Sequence, residues 1–295
     1  MASCNTFDSA TKQKKSIRKE VEKVFSKLNA INYSDLEKYL SENYKDIEIN
    51  DIKNRFSESC CKRFPLPFCR GCINSHAGFI HKIMSDGIIK EGDTVIDLGS
   101  GLGIDCLLLR KFIIGNKGKV IGVDLENAWN IVAQMYRDYL GYENVDFILG
   151  DARELPFDNN IADAVISNAT LTLISEKEKV FFEIFRVLKD GGNCYIHDAI
   201  LFGDNYELIE KMKNDTLYAD WYFSKSIREA EYLEMLEKIG FKNIKIEIYN
   251  YVFLADEGRL RYGTIGRASE KNINKFLNKY HDKIISAGVY IYAEK

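Results

Sequence analysis

Four of the chain's seven cysteines fall in residues 60–72, which read CCKRFPLPFCRGC. Thiols this dense can hold a metal, offer thiolates to a thiophilic substrate, or pack as reduced side chains. Cys69 and Cys72 have metal-knuckle spacing, and Cys60 or Cys61 with His76 would complete four ligands for zinc. An iron–sulfur cluster is the second metal option, on Cys60, Cys61, Cys69 and Cys72. Neighbouring Cys60 and Cys61 suit a single metal poorly. Pro65 and Pro67 argue for a loop between the pairs and stiffen it, as a closed coordination shell requires. All three readings stay open on the sequence alone. Cys106 and Cys194 sit in apolar contexts and are read as core.

A second constellation follows. In VIDLGSGLGID, Asp97 precedes the alternating Gly99, Gly101 and Gly103. Glycine allows positive φ and lets a ligand approach the backbone, and a helix N-terminus offers unpaired N–H groups. Such a motif also marks dinucleotide sites. The acids that come next narrow it. Asp124 ends VIGVD, where a carboxylate can accept from ribose hydroxyls, and Leu125 adjoins it. Asp151, followed by Ala152, comes after VDFILG, where it can meet an adenine amino group. Each Asp taken alone could simply cap the next helix. Three at successive strand ends describe a cleft for a nucleoside. A short-chain nicotinamide enzyme would need Tyr with Lys four positions later, and no such pair occurs.

Two further residues could act on an acceptor. His197 ends the run NCYIHD and is the candidate base; its alternative is a hydrogen-bonded strand-end histidine. Asn168 ends ADAVISN and could bind substrate or cap a helix. Trp221, Tyr222 and Phe223 could wall a pocket or pack as core.

The elements that must carry these residues are legible as periodicities. TVIDLG, KVIGVD, VDFILG, ADAVISN and NCYIHD are short apolar runs, alternating with helical patterns near 103–114, 127–140 and 176–189. That order predicts βαβ units and a parallel sheet with strands buried on both faces. Ahead of them, Ile17, Val21, Val24, Phe25 and Leu28, then Leu36, Tyr39 and Leu40, predict two helices joined near Asn32. Ser34 with Glu37 is the expected capping box. Another helix is expected over 76–90. After 204 the chain turns helical again. NIKIEIYNYVFL and GVYIYAEK read as late strands, with a helix near 270–285 between them. The expected organisation is a helical, cysteine-bearing cap at 1–90, a cofactor domain at 91–203 and a substrate-covering region at 204–295.

The chain has 295 residues, 46% of them hydrophobic and 29% charged, as in a soluble globular protein. Its net charge of -3 argues against a broad nucleic-acid footprint. The opening MASCNTFDSATKQKKSIRKE lacks the apolar stretch of a secretory signal. No apolar run approaches the roughly 20 residues of a membrane span. The expectation is a cytoplasmic protein with reduced thiols, a small-molecule partner, and neither nucleic acid nor membrane as partner. Nothing in the sequence fixes the oligomeric state.

From 94 to 200 the chain resembles the class I S-adenosylmethionine-dependent methyltransferases, with VIDLGSGLGIDC, VIGVD, GDARELPF, DAVISN and FRVLKDGGNCYIHD in the family's order. The resemblance implies S-adenosylmethionine as cofactor and an α/β, doubly wound, mostly parallel seven-stranded sheet. It implies that the last strand, GVYIYAEK, runs antiparallel beside IKIEIYNYV. It places cofactor contacts at Asp97, Gly99, Gly101, Gly103, Asp124, Asp151 and Ala152. Within the class, DLGSGLGIDC followed by ISN looks most like the arsenite methyltransferase branch, which also carries a cysteine pair upstream, as Cys60 and Cys61 stand here. The chain departs from that branch at Ala169, where the branch has Cys, and in LYADWYFSKS, which has none. The function implied is methyl transfer to a small acceptor, arsenite or another thiophile. The alternatives are an O-, N- or C-methyltransferase for a small organic acceptor, and a non-catalytic regulatory protein binding a metal or cofactor on the same fold.

Overall fold

The computed structural model of the chain describes residues 3–44, 47–50, 52, 70–214, 225–254, 260–264 and 283–295. It divides into two compact units, Met1–Asp93 with Ser100–Leu149, and Thr94–Gly99 with Gly150–Lys295.

The first unit opens with three helices, α1 (Ser3–Leu28), α2 (Tyr33–Asn43) and α3 (Arg70–Asp86). Ile17, Val21, Val24, Phe25 and Leu28 recur at helical spacing and are all buried, and α1 packs on α3. The cap of α2 is Asn32, not Ser34. The Asn32 side chain accepts from the Ser34 and Asp35 N–H groups, and Asp35 accepts from the Asn32 N–H, closing a capping box two residues earlier than expected. Either residue type can cap; Asn32 has the extended backbone that the position needs. The helix expected over 76–90 starts six residues earlier and ends at Asp86.

The same unit holds α4 (Ile104–Leu109), which continues into a π-helical turn, Arg110–Ile114. Then come β2 (Lys119–Asp124), α5 (Asn127–Leu140) and β3 (Val145–Leu149). β2 and β3 are parallel, with Val123 opposite Ile148 and Asp124 opposite Leu149. α2 is pinned to α5 by polar contacts as well as packing. Tyr39 Oη donates to Asp138 Oδ2 at 2.8 Å, and Tyr44 Oη donates to Gln134 Oε1 at 2.6 Å.

The second unit contains β1 (Thr94–Leu98), β4 (Ala162–Asn168), β5 (Leu188–Leu201), β6 (Lys242–Leu254), β7 (Leu260–Thr264) and β8 (Ile284–Glu294). Its helices are α6 (Lys177–Val187), α7 (Tyr206–Asn214) and α8 (Glu229–Ile239). β1, β4 and β5 are parallel neighbours. β8 inserts antiparallel between β5 and β6. Within the second unit the strands run β1-β4-β5-β8-β6-β7 in hydrogen-bonding order, and within the first β2 pairs with β3. This is the expected doubly wound sheet, with β8 as its antiparallel last strand. β7 is an additional edge strand beyond the expected seven. Strand, not helix, occupies 284–285; the rest of the helix expected near 270–285 lies outside the described residues, apart from Lys283.

β4 and β5 are buried almost throughout at their centres, as strands covered on both faces must be. The aromatic rings of Phe181 and Phe185 on α6 meet Tyr232 of α8 and Phe241 edge-on. Leu208 and Ile209 of α7 close over Leu201, Val252 and Ile285. No described helix is long and apolar enough to cross a membrane.

Candidate active site

In the first unit, the backbone after Gly99 turns so that the Ser100 N–H donates to Val123 O and the Gly103 N–H to Ser100 O. The three glycines then divide by physical cause. At Gly103, φ is +73° and a Cβ would lie 2.2 Å from the Phe147 ring, so packing alone demands glycine there. Gly101 has φ +51°, yet no atom lies within 4 Å of where its Cβ would be. The left-handed Gly87, Gly92, Gly141 and Gly191 are equally open, so it is the N–H partner that sets Gly101 apart. The Gly101 N–H donates to Asp124 Oδ2 at 2.8 Å, and the Glu126 N–H donates to Oδ1 at 2.9 Å. Burial pushes the Asp124 carboxyl above the usual range, and those two N–H groups oppose the shift. Leu125, next in line, is 69% exposed, an unusual position for a large apolar side chain beside a strand end.

In the second unit, Asp97 is buried on β1, opposite Ile166. Gly99 has φ +69°, and a Cβ there would sit inside the Thr170 side chain. Asp151 is held by Arg153, whose Nε donates to Oδ1 at 3.0 Å and Nη2 to Oδ2 at 2.6 Å. The Arg153 Nη1 also donates to Glu176 Oε2 at 2.6 Å. The Arg153 hydrogen bonds keep the Asp151 carboxyl below its ordinary range. Ala152 follows, half-buried.

The same unit brings Asn168 and His197 together. They are register partners on β4 and β5, and Asn168 Oδ1 lies 2.7 Å from His197 Nδ1. With the amide oxygen as acceptor, Nδ1 carries the proton and Nε2 becomes the basic nitrogen. The imidazole stacks on Tyr290 at 4.9 Å and meets Tyr249 at 4.9 Å. Tyr249 reaches that position through a bulge in β6: Ile248 pairs with Val289 and Asn250 with Gly288, so Tyr249 is the extra residue. Ala169 follows Asn168 with φ +58°, its N–H donating to His197 O.

Beyond His197, buried Asp198 accepts from the Thr172 N–H at 3.0 Å and the Ala199 N–H at 2.8 Å. Burial pushes its carboxyl up to about 6. Lys177, also buried, donates to Ile174 O and Lys225 O, and burial lowers it to about 8.

Cys60, Cys61 and Cys69 lie outside the described residues, as do Trp221, Tyr222 and Phe223. Cys72 falls in the first turn of α3. Among the described residues no group of three or more His, Cys, Asp or Glu is placed to hold a metal. Cys106 and Cys194 are core, as expected, and burial pushes the Cys194 thiol up to about 12. His76, considered as a fourth metal ligand, has Nδ1 2.8 Å from Asp105 Oδ1. Sequence reasoning missed Asp105, Arg153, Asp198, Lys177, Tyr249 and Tyr290. Arg153 alone left a local signal, since a basic residue two positions after Asp151 can fold back onto it.

A family model described as a methyltransferase domain matches residues 89–240, half of the chain. The chain belongs to that family. Its fold is that of a class I S-adenosylmethionine-dependent methyltransferase. The chain is 34% identical over 161 residues to the arsenite methyltransferase of Halobacterium salinarum, a match covering 54% of this chain and 39% of that one. It thus spans well under two thirds of that relative. It is 30% identical over 195 residues to the ubiquinone/menaquinone biosynthesis C-methyltransferase UbiE of Vibrio parahaemolyticus, covering 57% of this chain and 74% of that one. Its fold is similar to that of an arsenic(III) S-adenosylmethionine methyltransferase from Chlamydomonas reinhardtii, with a TM-score of 0.52 at 23% identity, covering 70% of this chain and 64% of that one.

Proposed function

We propose that the chain transfers a methyl group from S-adenosylmethionine to a small-molecule acceptor, with arsenite the leading acceptor. The observation that carries the cofactor reading is Gly101, left-handed, open on its Cβ side and tied through its N–H to Asp124. In this reading Asp97, Gly99, Gly101 and Gly103 form the loop for the cofactor. Asp124 and Leu125 take the ribose side, and Asp151 and Ala152 the adenine side. The cofactor supplies a sulfonium-activated methyl for in-line displacement. The chain's part is to orient the acceptor and exclude water. Cys60 and Cys61 would present arsenite as a thiolate-bound, electron-rich centre, which needs no base. The likeness to arsenite-methylating relatives and the upstream cysteine pair support that acceptor.

A second reading, an oxygen, nitrogen or carbon nucleophile, is favoured by a separate observation. Ala169 offers no thiol, while His197, oriented by Asn168, is suited to accept a proton from an organic acceptor at Nε2. A third reading keeps the fold without the chemistry. The cysteine run could also carry zinc or an iron–sulfur cluster on Cys60, Cys61, Cys69 and Cys72. We place the protein in the cytosol, where such thiols stay reduced.

The test is anaerobic incubation with S-adenosylmethionine, arsenite and a thiol reductant, with methylated arsenic as the readout. Product formed by wild type and lost in Cys60→Ser or Cys61→Ser supports arsenite. Product on a phenol or amine panel, lost in His197→Ala, supports the second reading. Cofactor binding with no transfer to any acceptor would leave only the non-catalytic reading. Elemental analysis of wild type against Cys69→Ser decides the metal.

A further inference from the structure

The loop that follows Asp151 is fastened to one helix along its length. Its turn is closed by the Glu154 N–H, which donates to Asp151 O at 3.0 Å. Farther on, the Leu155 N–H donates to Glu183 Oε2 at 2.7 Å, and Arg186 donates to Phe157 O at 2.7 Å and Leu155 O at 3.0 Å. Glu183 and Arg186 both stand on α6. A third tie comes from the residue just before that helix. The Glu176 side chain makes no cap for α6, and its Oε2 instead accepts from Arg153 Nη1 at 2.6 Å. Another edge of the same guanidinium faces Asp151. Nε lies 3.0 and 3.1 Å from the two carboxylate oxygens, Nη2 donates to Oδ2 at 2.6 Å, and the Arg153 N–H donates to Oδ1 at 2.9 Å. A lone exposed ion pair contributes little, because two long side chains must be ordered to make it. Here the fork is bidentate and its far edge is already held, so the guanidinium plane fixes the carboxylate with it.

We propose that Arg153 is the positioning residue for adenine recognition, holding the Asp151 carboxylate so that one acceptor position faces the 6-amino group of the cofactor's purine ring. This rests on the reading of Asp151 as the adenine contact. An ionised carboxylate accepts about four hydrogen bonds. The three Arg153 N–H groups occupy three of those positions and leave one. A single amino N–H fills it. A 6-oxo purine would present an oxygen there, and two acceptors would face each other. The Arg153 hydrogen bonds also keep the Asp151 carboxyl below its ordinary range, so it stays an acceptor. Without the guanidinium the carboxylate is still charged near neutral pH but free to turn, and it must be ordered when the purine arrives. Arg153 thus acts on the choice of purine through Asp151.

The test compares S-adenosylhomocysteine with S-inosylhomocysteine, which carries a 6-oxo group in place of the amine, by calorimetry on the full-length chain. The readout is the ratio of the two dissociation constants. A loosened pocket weakens both ligands together and leaves that ratio alone. Wild type should favour the amino ligand roughly ten- to hundredfold, as a hydrogen bond to a charged group does. Arg153→Ala should shrink the ratio roughly two- to tenfold, the cost of ordering one side chain on binding. Arg153→Lys should shrink it as much, since an ammonium keeps the charge but not the fork. Asp151→Ala should abolish the preference. Arg153 is exposed, so its variants should keep the far-ultraviolet circular dichroism of wild type. No preference in wild type, or a preference that survives Asp151→Ala, would take Asp151 off the adenine and overturn the proposal together with that reading. A wild-type preference lost in Asp151→Ala but kept in full in Arg153→Ala would overturn the role of Arg153 and leave the adenine reading standing.

Discussion

Asp124 answers to two demands at once. Its oxygens accept the Gly101 and Glu126 N–H groups and so hold the loop in shape, and in the proposed function they also receive a ligand. Asp124→Ala removes both roles. A charge-assisted contact contributes on the order of 1.5–3 kcal/mol, so S-adenosylmethionine affinity should drop roughly ten- to hundredfold by calorimetry. An unchanged affinity in a folded variant would take Asp124 out of the site. Asp124→Asn separates the roles, because an amide retains one acceptor for the loop but offers ribose a weaker one. The residue types of the proposed cofactor loop, three glycines and three acids at strand ends, are legible from sequence alone. Which glycines packing demands is not. Gly99 and Gly103 are required by Thr170 and Phe147, neighbours 71 and 44 positions away. The His76–Asp105 pair was hidden for the same reason, its partners standing 29 positions apart.

Elements were read where composition and burial agree. β1 to β4 are continuous apolar runs, and they emerge where the pattern placed them. β5 begins at Leu188, ahead of the apolar run, because Leu188 pairs with Ala162 across an irregular stretch whose Gly191 and Gly192 weaken the sequence signal. β7, LRYGT, is five residues with one glycine and carries too little pattern to be read. The α2 cap was misplaced because Ser34 and Asn32 are both competent, and backbone conformation decided between them. Asn32→Ala should therefore cost about 1 kcal/mol in urea unfolding. Ser34→Ala should cost only a few tenths, since its side chain is not the cap acceptor. Equal losses from the two would return the cap to Ser34. Tyr39→Phe tests the next level. Loss of the hydroxyl that ties α2 to Asp138 on α5 should cost about 1 kcal/mol, and it should increase hydrogen exchange in α2 before the rest of the unit.

For the molecule as a whole, the buried charges beyond His197 set an uncommon pH response. The Asp198 carboxyl is raised from 3.8 to about 6 in the fold. Its contribution to stability is fully present below the unfolded value and is lost as pH rises through about 6. Lys177 is lowered from 10.5 to about 8, so its contribution is present at high pH and lost as pH falls through about 8. Between those values both groups are charged, and these two terms are at their least favourable near neutrality. Subtracting the unfolding free energy of Asp198→Asn from that of wild type, across pH 4 to 8, should give a curve that declines from low to neutral pH. A flat difference would show that Asp198 is ionised in the fold with no penalty. The bulge at Tyr249 bears on chain length itself. Register is intact on both sides of it, with Ile248 opposite Val289 and Tyr251 opposite Ala287. Removing Tyr249 therefore shortens the chain without sliding β6 past β8: Asn250 can follow Ile248 directly and still face Gly288. A one-residue deletion inside an inner strand ordinarily turns every later side chain to the wrong face of its sheet. Here the protein should fold without the residue, losing the ring beside His197 and little else. Deletion of Ile291, in the unbulged middle of β8, should abolish folding. At this bulge the chain can change length and the sheet keep its shape, and the bulge lies against the histidine proposed to act on the acceptor.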